Sequence, residues 1–425
     1  MKNAAGEWRC SAGPAEVRSF WLRQAGWQGG AVAVAVLLGA LALWGTMRVV
    51  GFKVSLRQVF WPPAWHELSE VRARFFLDKS RQAFAEGNFR EAANSLVVAF
   101  EMNPHDYEIA LTLAEFFQSG RPRVVDPFFE HLLRIYPDRR EATARVWYRS
   151  LLQRGSLDGL AALALQQLAA GGEEAAVWTH ALIFSVRFSG GVERLAEAAA
   201  GERVPVPVRE LLQFETRLRQ TTPALAVRLL QSEPLRKDFS YALVHRVERL
   251  IEFGAWADAL DFLQLHRESM SGRDVVRLAL AAHAVGRNWL ALQREADLLL
   301  AQEPASRAAA LDLLAQHLVV YPNDAILVRC IAALKSLPNV PAEAHDQAVA
   351  SVYSAAVIGG RRAELAAIRG YLPSSGAVKA TFTPEEVLLR NGWVPTTLLA
   401  VIRPMSAELN YAILERVFAN RPLQK

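Results

Sequence analysis

Three separate stretches of this chain are punctuated alike: "EGNFREAANSL" from Glu86, "FGAWADALDFL" from Phe253 and "VGRNWLALQRE" from Val285. Each holds a Gly, a short gap, an aromatic residue and then an Ala-bearing apolar run. Two weaker versions, "RGSLDGLAALA" from Arg154 and "GGRRAELAAIR" from Gly359, lack the aromatic. Glycine at a helix end takes the left-handed conformation that other residues resist. Alanine along the following helix lets two backbones approach. Flanking apolar residues recur at helical spacing over roughly twelve to eighteen residues, with no sustained strand alternation. A chain written this way folds into short helices paired through tight turns.

A second mark follows the pairs. "EMNPHD" and "RIYPDRR" set Pro104 and Pro137 thirty-three residues apart, and "AQEPASR" and "VVYPNDA" repeat the device at Pro304 and Pro322. Proline suits the first turn of a helix, where a backbone donor has no partner in any case. A period in the low thirties built as helix, turn, helix is the mark of a helical solenoid.

The stretch Phe76 to Pro104 resembles a tetratricopeptide repeat, with Phe76, Ser80 and Phe84 on the first helix, Gly87 and Phe89 at the turn, Ala92 and Ala99 on the second helix, and Pro104 closing the unit. A second unit runs from Tyr107 to Pro137 through Leu113, Ala114, Phe117 and Gly120, with "RPRVVDPFF" departing from the pattern. A third keeps Trp147, Leu151 and Gly155, and the pattern returns from Leu243 to Pro322 through Gly254, Trp256 and Gly286. The resemblance implies an all-α solenoid of helical hairpins wound as a right-handed superhelix. It also implies a membrane-anchored bacterial scaffold whose partners are proteins. The family's carboxylate clamp uses Lys and Asn where this chain has Leu77 and Arg81, so that use is not implied. A related adaptor of lipopolysaccharide assembly ends in a metal knuckle, for which this chain lacks the cysteine pair.

The N-terminal part obeys a different constraint. Between Arg23 and Arg48 there is no charge, and "GGAVAVAVLLGALALWGTM" is almost wholly apolar. A spanning helix needs roughly 20 such residues; Trp21, Trp27 and Trp44 flank the run, as rings at headgroup level do. "ALA" at Ala40 to Ala42 also offers a signal-cleavage site. The long charged segment before the run favours an uncleaved anchor. Lys2, Arg9, Arg18 and Arg23 precede it and Arg48, Lys53 and Arg57 follow, a near tie under the positive-inside rule. The expectation is an N-terminus in the cytoplasm of a bacterial inner membrane with the large domain outside.

These marks divide the chain into a basic tail (1–27), a spanning helix (28–50), a linker around Pro62 and Pro63 (51–66), two solenoid parts (67–203 and 204–340) and a divergent helical cap (341–425). The joint between the two solenoid parts is "GERVPVPVRE" from Gly201.

Chemistry is sparse in the residues. Two cysteines, Cys10 and Cys330, exclude a CxxC zinc or redox site and a disulfide framework. A formal charge of +5 spread over 425 residues does not make the concentrated basic patch that nucleic acid needs. No phosphate-loop, dinucleotide or nucleophile-elbow pattern occurs, and His66-Glu67 lacks the second histidine of a zinc site. His105, His131, His180, His245, His266 and His283 stand singly, and Glu86, Glu115 and Glu215 lack the companion of a glycan-cleaving site. The sequence therefore points to no catalysis, no cofactor, no metal and no nucleic acid, but to binding of a protein, with self-association a further possibility. Arg74 and Arg81 share one helix face and Arg145 and Arg149 another; stacked as in the family, they would line a concave wall suited to an acidic or extended peptide. The function expected is a membrane-anchored scaffold for a cell-envelope complex, with an accessory role in polysaccharide or protein export, or a helical-toroid glycan-cleaving enzyme, as alternatives.

Overall fold

The computed structural model describes residues 14–118, 122–171, 174–234, 239–337, 341–371 and 406–419. Every regular element among them is helical. Gly120, the tail before residue 14 and residues 372–405 and 420–425 lie outside the described residues. The chain divides into two units, Met1–Leu113 and Ala114–Lys425.

In the first unit α1 (Pro14–Val50) is one long helix. Its part Arg23–Val50, mean hydropathy 2.0, is long and apolar enough to cross a membrane, and none of its apolar window is buried. A short helix α2 (Leu56–Phe60) leads to α3 (Trp65–Ala85) and α4 (Phe89–Met102), which pack along each other. The α3–α4 turn shows why the sequence reads as it does. Gly87 has φ +79, Asn88 accepts a hydrogen bond from the Glu91 backbone N–H at 3.3 Å, and Phe84 meets Phe89 edge to face at 5.6 Å. Ser80 donates to the Ala92 carbonyl at 2.8 Å across the pair, and Ala92 and Ala99 are fully buried, so small side chains here set a close helix approach. Asp106 caps α5 (Tyr107–Phe117) by accepting from the Glu108 N–H at 2.9 Å.

The second unit runs through α6 (Pro122–Ile135), α7 (Arg140–Arg154), α8 (Leu157–Ala170), α9 (Ala175–Ser189), α10 (Glu193–Ala200), α11 (Val206–Arg219) and α12 (Pro223–Ser232). It continues with α13 (Ser240–Glu252), α14 (Trp256–Leu265), α15 (Gly272–Val285), α16 (Trp289–Leu300), α17 (Pro304–Val320), α18 (Asp324–Lys335), α19 (Ala342–Ile358), α20 (Arg362–Gly370) and α21 (Ala407–Ala419). Chain neighbours pack together, and so do alternate helices: α13 on α15, α15 on α17, α17 on α19, and α16 on α18. The proline-rich stretch from Gly201 sits inside this unit with Val204 and Val208 buried. In "RPRVVDPFF", Asp126 accepts from Trp147 Nε1 at 2.9 Å and from both terminal nitrogens of Arg154, tying α6 to α7.

Two sequence expectations need correcting. Pro304 opens α17 as expected, and Pro137 opens a short 3-10 helix, but Pro104 and Pro322 stand outside the helices, ahead of the capping residues Asp106 and Asn323. Those side chains accept the first free N–H groups, so each helix begins after them. The turn at Gly286 also differs from those at Gly87 and Gly254, which both have φ +79. Here Arg287 takes the left-handed conformation, at φ 54, while Gly286 is right-handed with φ −73. Gly286 is needed for space: a Cβ there would lie 2.5 Å from the Trp256 indole of the preceding pair. Gly286→Ala is therefore expected to destabilise by roughly 1–3 kcal/mol through overpacking. Combined with Trp256→Ala the same change should cost almost nothing; equal costs in both backgrounds, measured by denaturant unfolding, would place the penalty elsewhere.

Candidate functional site

The last described helix of the second unit is α21. It returns to pack on α17 and α7. Leu409, Tyr411, Ala412, Ile413, Leu414 and Val417 are all buried. With Asn410 buried among them as well, residues 409–414 place every side of about one and a half turns in an interior.

The contacts that hold α21 are specific. The Tyr411 and Tyr148 hydroxyls are 2.9 Å apart. The Tyr411 ring lies 4.4 Å from that of His180 and 4.6 Å from that of Phe184. Glu415 pairs with Arg187 at 3.0 Å. Gln347 donates to Ser406 Oγ at 2.6 Å, and the same oxygen accepts from the Leu409 N–H at 3.2 Å. Gly155, with φ +64 at the end of α7, has Leu414 close against it: a Cβ there would be 3.1 Å from that side chain.

Beside α21 lies a cavity of about 470 Å³, walled by helices α9, α13, α15 and α17 as well as α21. Tyr241, His180, His317 and Tyr411 give it an aromatic lining, and Glu248 and Arg277 a charged one. An ionic chain runs from the interior into this wall, where Arg187, Arg249, Glu252 and Glu415 line the cavity. Glu215, fully buried on α11, accepts from Arg219 Nε at 2.6 Å and pairs with His245 Nε2 at 2.7 Å. Glu252 joins Arg187 at 3.2 Å, Arg219 at 3.3 Å and Arg249. Arg187 then reaches Glu415, so the chain ends on α21 itself.

The electrostatics follow from this arrangement. Burial alone would raise the Glu215 carboxyl, but Arg249, His245 and Arg219 outweigh it and hold the group well below the usual carboxylate range. Burial opposes ionisation of Glu248 likewise, and Arg277, His180 and Arg249 bring it down to about 2. His317 is pushed down by burial to about 4, and burial lowers His180 as well. Acid should unfold this unit in two stages. His317 is kept neutral, so its contribution is present above pH 6.5 and is lost as pH falls toward about 4. Glu248 is kept ionised, so its contribution is present above pH 4.5 and is lost toward about 2. Melting of the full chain from pH 7 to pH 3 should show stability falling first below pH 6.5 and more steeply below 4.5; a flat profile would contradict both assignments.

The residues singled out in the sequence lie elsewhere. Arg74 and Arg81 stand exposed on α3, where Arg81 already pairs with Glu108. Arg145, on α7, pairs with Glu141 at 2.8 Å and Glu174 at 2.7 Å. Arg149 is exposed; burial raises the carboxyl of Glu115, and the charge of Arg149 offsets only part of that rise. None of the four lines the cavity. His180, His245 and Glu215 read as isolated residues, yet the fold sets His180 in the cavity wall and pairs His245 with Glu215. Their separation along the chain, thirty residues for the Glu215–His245 pair, left no local signal. A one-turn spacing within α13, Tyr241, His245, Glu248, Arg249 and Glu252, was the only hint: five polar side chains on one apolar helix.

Among the described residues no group of three or more His, Cys, Asp or Glu is placed to hold a metal ion. Burial pushes the Cys330 thiol up to about 12, far from the thiolate that reactive cysteines use. Comparison with known proteins gives no match to a family model, to a curated protein or to a solved structure.

Proposed function

We propose that this chain is a membrane-anchored, tetratricopeptide-like scaffold whose stacked helix pairs grip a partner helix. The anchor is α1, and the scaffold sits on the outer side of a bacterial inner membrane, where it serves the assembly of a cell-envelope complex. The observation that supports this most is α21: the second unit already holds one helix by a tyrosine pair, an ion pair and an apolar face. Helix-in-groove recognition uses the same elements, anchors one turn apart on a single helix. The depressed carboxyl of Glu215 is the opposite of what a general acid requires, which weighs against the glycan-cleaving alternative at that residue. Arg74 and Arg149 remain the exposed candidates for an acidic partner segment, since Arg81 and Arg145 are engaged.

The test is binding in trans. A fluorescent peptide of residues 406–419 is titrated against the full chain and against the full chain carrying Tyr411→Ala and Glu415→Ala. The variant should bind the peptide and the unaltered chain should not, because its own helix fills the place. Failure of the variant to bind while it remains helical would refute the reading of the groove.

A further inference from the structure

The stretch after α1 reads as a linker, yet it is built. Gly51, at φ +106, reverses the chain directly after Val50, with Phe75 so close that a Cβ would lie 3.2 Å from its ring. Phe52 then packs on Phe75 at 4.4 Å. The Val54 carbonyl accepts from Trp44 Nε1 at 3.1 Å and from Arg48 Nε at 3.2 Å. Trp44 lies six residues before the end of α1, roughly 9 Å back along its axis at 1.5 Å per residue. Residue 54 is thus carried back to the level of the last turns of the apolar helix, and α2 packs against α1 there.

From that level the chain is two-sided. Val54, Val59 and Ala64 face inward and are buried. Leu56, Phe60, Trp61 and Trp65 face outward, with the two indoles 58% and 59% exposed. Trp65 is fixed in place by a hydrogen bond from Nε1 to the Val59 carbonyl at 3.3 Å. Gly51 to Trp65 contains Lys53 and Arg57, both exposed, and no carboxylate.

We infer that residues 51–65 form a collar lying in the headgroup layer of the bilayer that α1 crosses. Leu56 and Phe60 would enter the acyl boundary, Trp61 and Trp65 the interface, and Lys53 and Arg57 would meet anionic headgroups. Three observations carry this. The collar is continuous with the apolar helix, it is folded back to the depth of that helix's last turns, and it combines exposed indoles with unopposed cations. Indole rings favour this layer because one edge is apolar and the N–H is polar. Basic side chains beside them are drawn to anionic lipid. An exposed apolar patch on a soluble surface would be an aggregation liability; in the headgroup layer it is solvated by lipid. The consequence is that the first helix pair is held at the membrane surface instead of swinging on a tether.

The inference rests on α1 crossing the membrane, so the experiment reads the two separately. The full chain, with Cys10→Ser and Cys330→Ala, is given single cysteines by Leu37→Cys, Trp61→Cys, Trp65→Cys or Lys79→Cys. Each is spin-labelled and reconstituted in phosphatidylcholine vesicles containing phosphatidylglycerol. Collision with oxygen and with a water-soluble nickel chelate then reports depth. A label at 37 should see oxygen and exclude nickel, one at 79 the reverse. Labels at 61 and 65 should fall between, with oxygen-to-nickel ratios several-fold above that at 79. Ratios at 61 and 65 equal to that at 79, with 37 still in lipid, overturn the collar and leave the anchor standing. A water-exposed label at 37 overturns the anchor itself. Labels at 61 and 65 shielded from both reagents would mean that protein covers them, which also rejects the lipid assignment. Helicity of every labelled chain is checked by circular dichroism, so misfolding is not mistaken for exposure.

Discussion

Glu215→Ala should destabilise the second unit by roughly 3–5 kcal/mol, the loss typical of leaving buried charges uncompensated. The carboxylate is fully buried and meets Arg219, His245 and Arg249. Arg249 would keep Glu252, but it would face that residue together with Arg219 and Arg187. Arg219 and Arg249 would then depend on Glu252 alone, a carboxylate they share with Arg187, which keeps Glu415 as its second partner. Glu215→Gln should fall between, because the amide oxygen still accepts one hydrogen bond while its charge is gone. Denaturant unfolding of the full chain in detergent, followed by far-ultraviolet circular dichroism, measures both. A loss under about 1 kcal/mol for Glu215→Ala would mean that the network is solvated and that its geometry does little for stability.

Tyr411→Ala should release α21 and leave the stack standing. The side chain is buried among His180, Phe184 and Tyr148, and removing a large aromatic from such a site costs roughly 3–5 kcal/mol. Most of that cost falls on one helix of thirteen residues, which is too short to stay helical alone in water. Hydrogen exchange read by mass spectrometry should therefore show amides of 407–419 losing roughly two to three orders of magnitude of protection, at 1.4 kcal/mol per tenfold. Amides of α17 should change far less: Leu311, Leu314 and Leu318 share a core with Leu409, Ala412, Ile413 and Val417 of α21, but also with residues of α18 and α19 that stay in place. Uniform loss across α17 and α21 would show instead that α21 is an integral part of the core and not a separable occupant. Arg187→Ala offers a milder check, since it removes the Glu415 partner without opening the aromatic pocket.

Different parts of this molecule were legible for different reasons. The α3–α4 turn was readable because everything it needs is local: Gly87 supplies the left-handed turn, Asn88 the cap, Phe89 the ring against Phe84, and Ala92 the close approach. Gly286 misled because one residue type serves two physical needs. Its turn resembles the others in sequence, yet the demand comes from Trp256, thirty residues earlier in the chain. The stretch 51–65 looked like a linker because prolines and aromatics give no periodicity. Only the bonds from Trp44 and Arg48 to the Val54 carbonyl show it folded against α1.

By itself, the sequence determined that the chain is helical, where its best-formed turns fall, and that one N-terminal helix is apolar enough to cross a membrane. These are short-range matters, settled by backbone conformations, side chains three or four residues apart and the lack of charge in one run. Tertiary structure alone decided that α21 turns back to α7, that Glu215 and His245 meet, and that Arg145 reaches Glu174. Each of these joins residues far apart in the chain. Their energies come from burial and charge pairing that exist only after the helices have stacked, and no local pattern of residues encodes them.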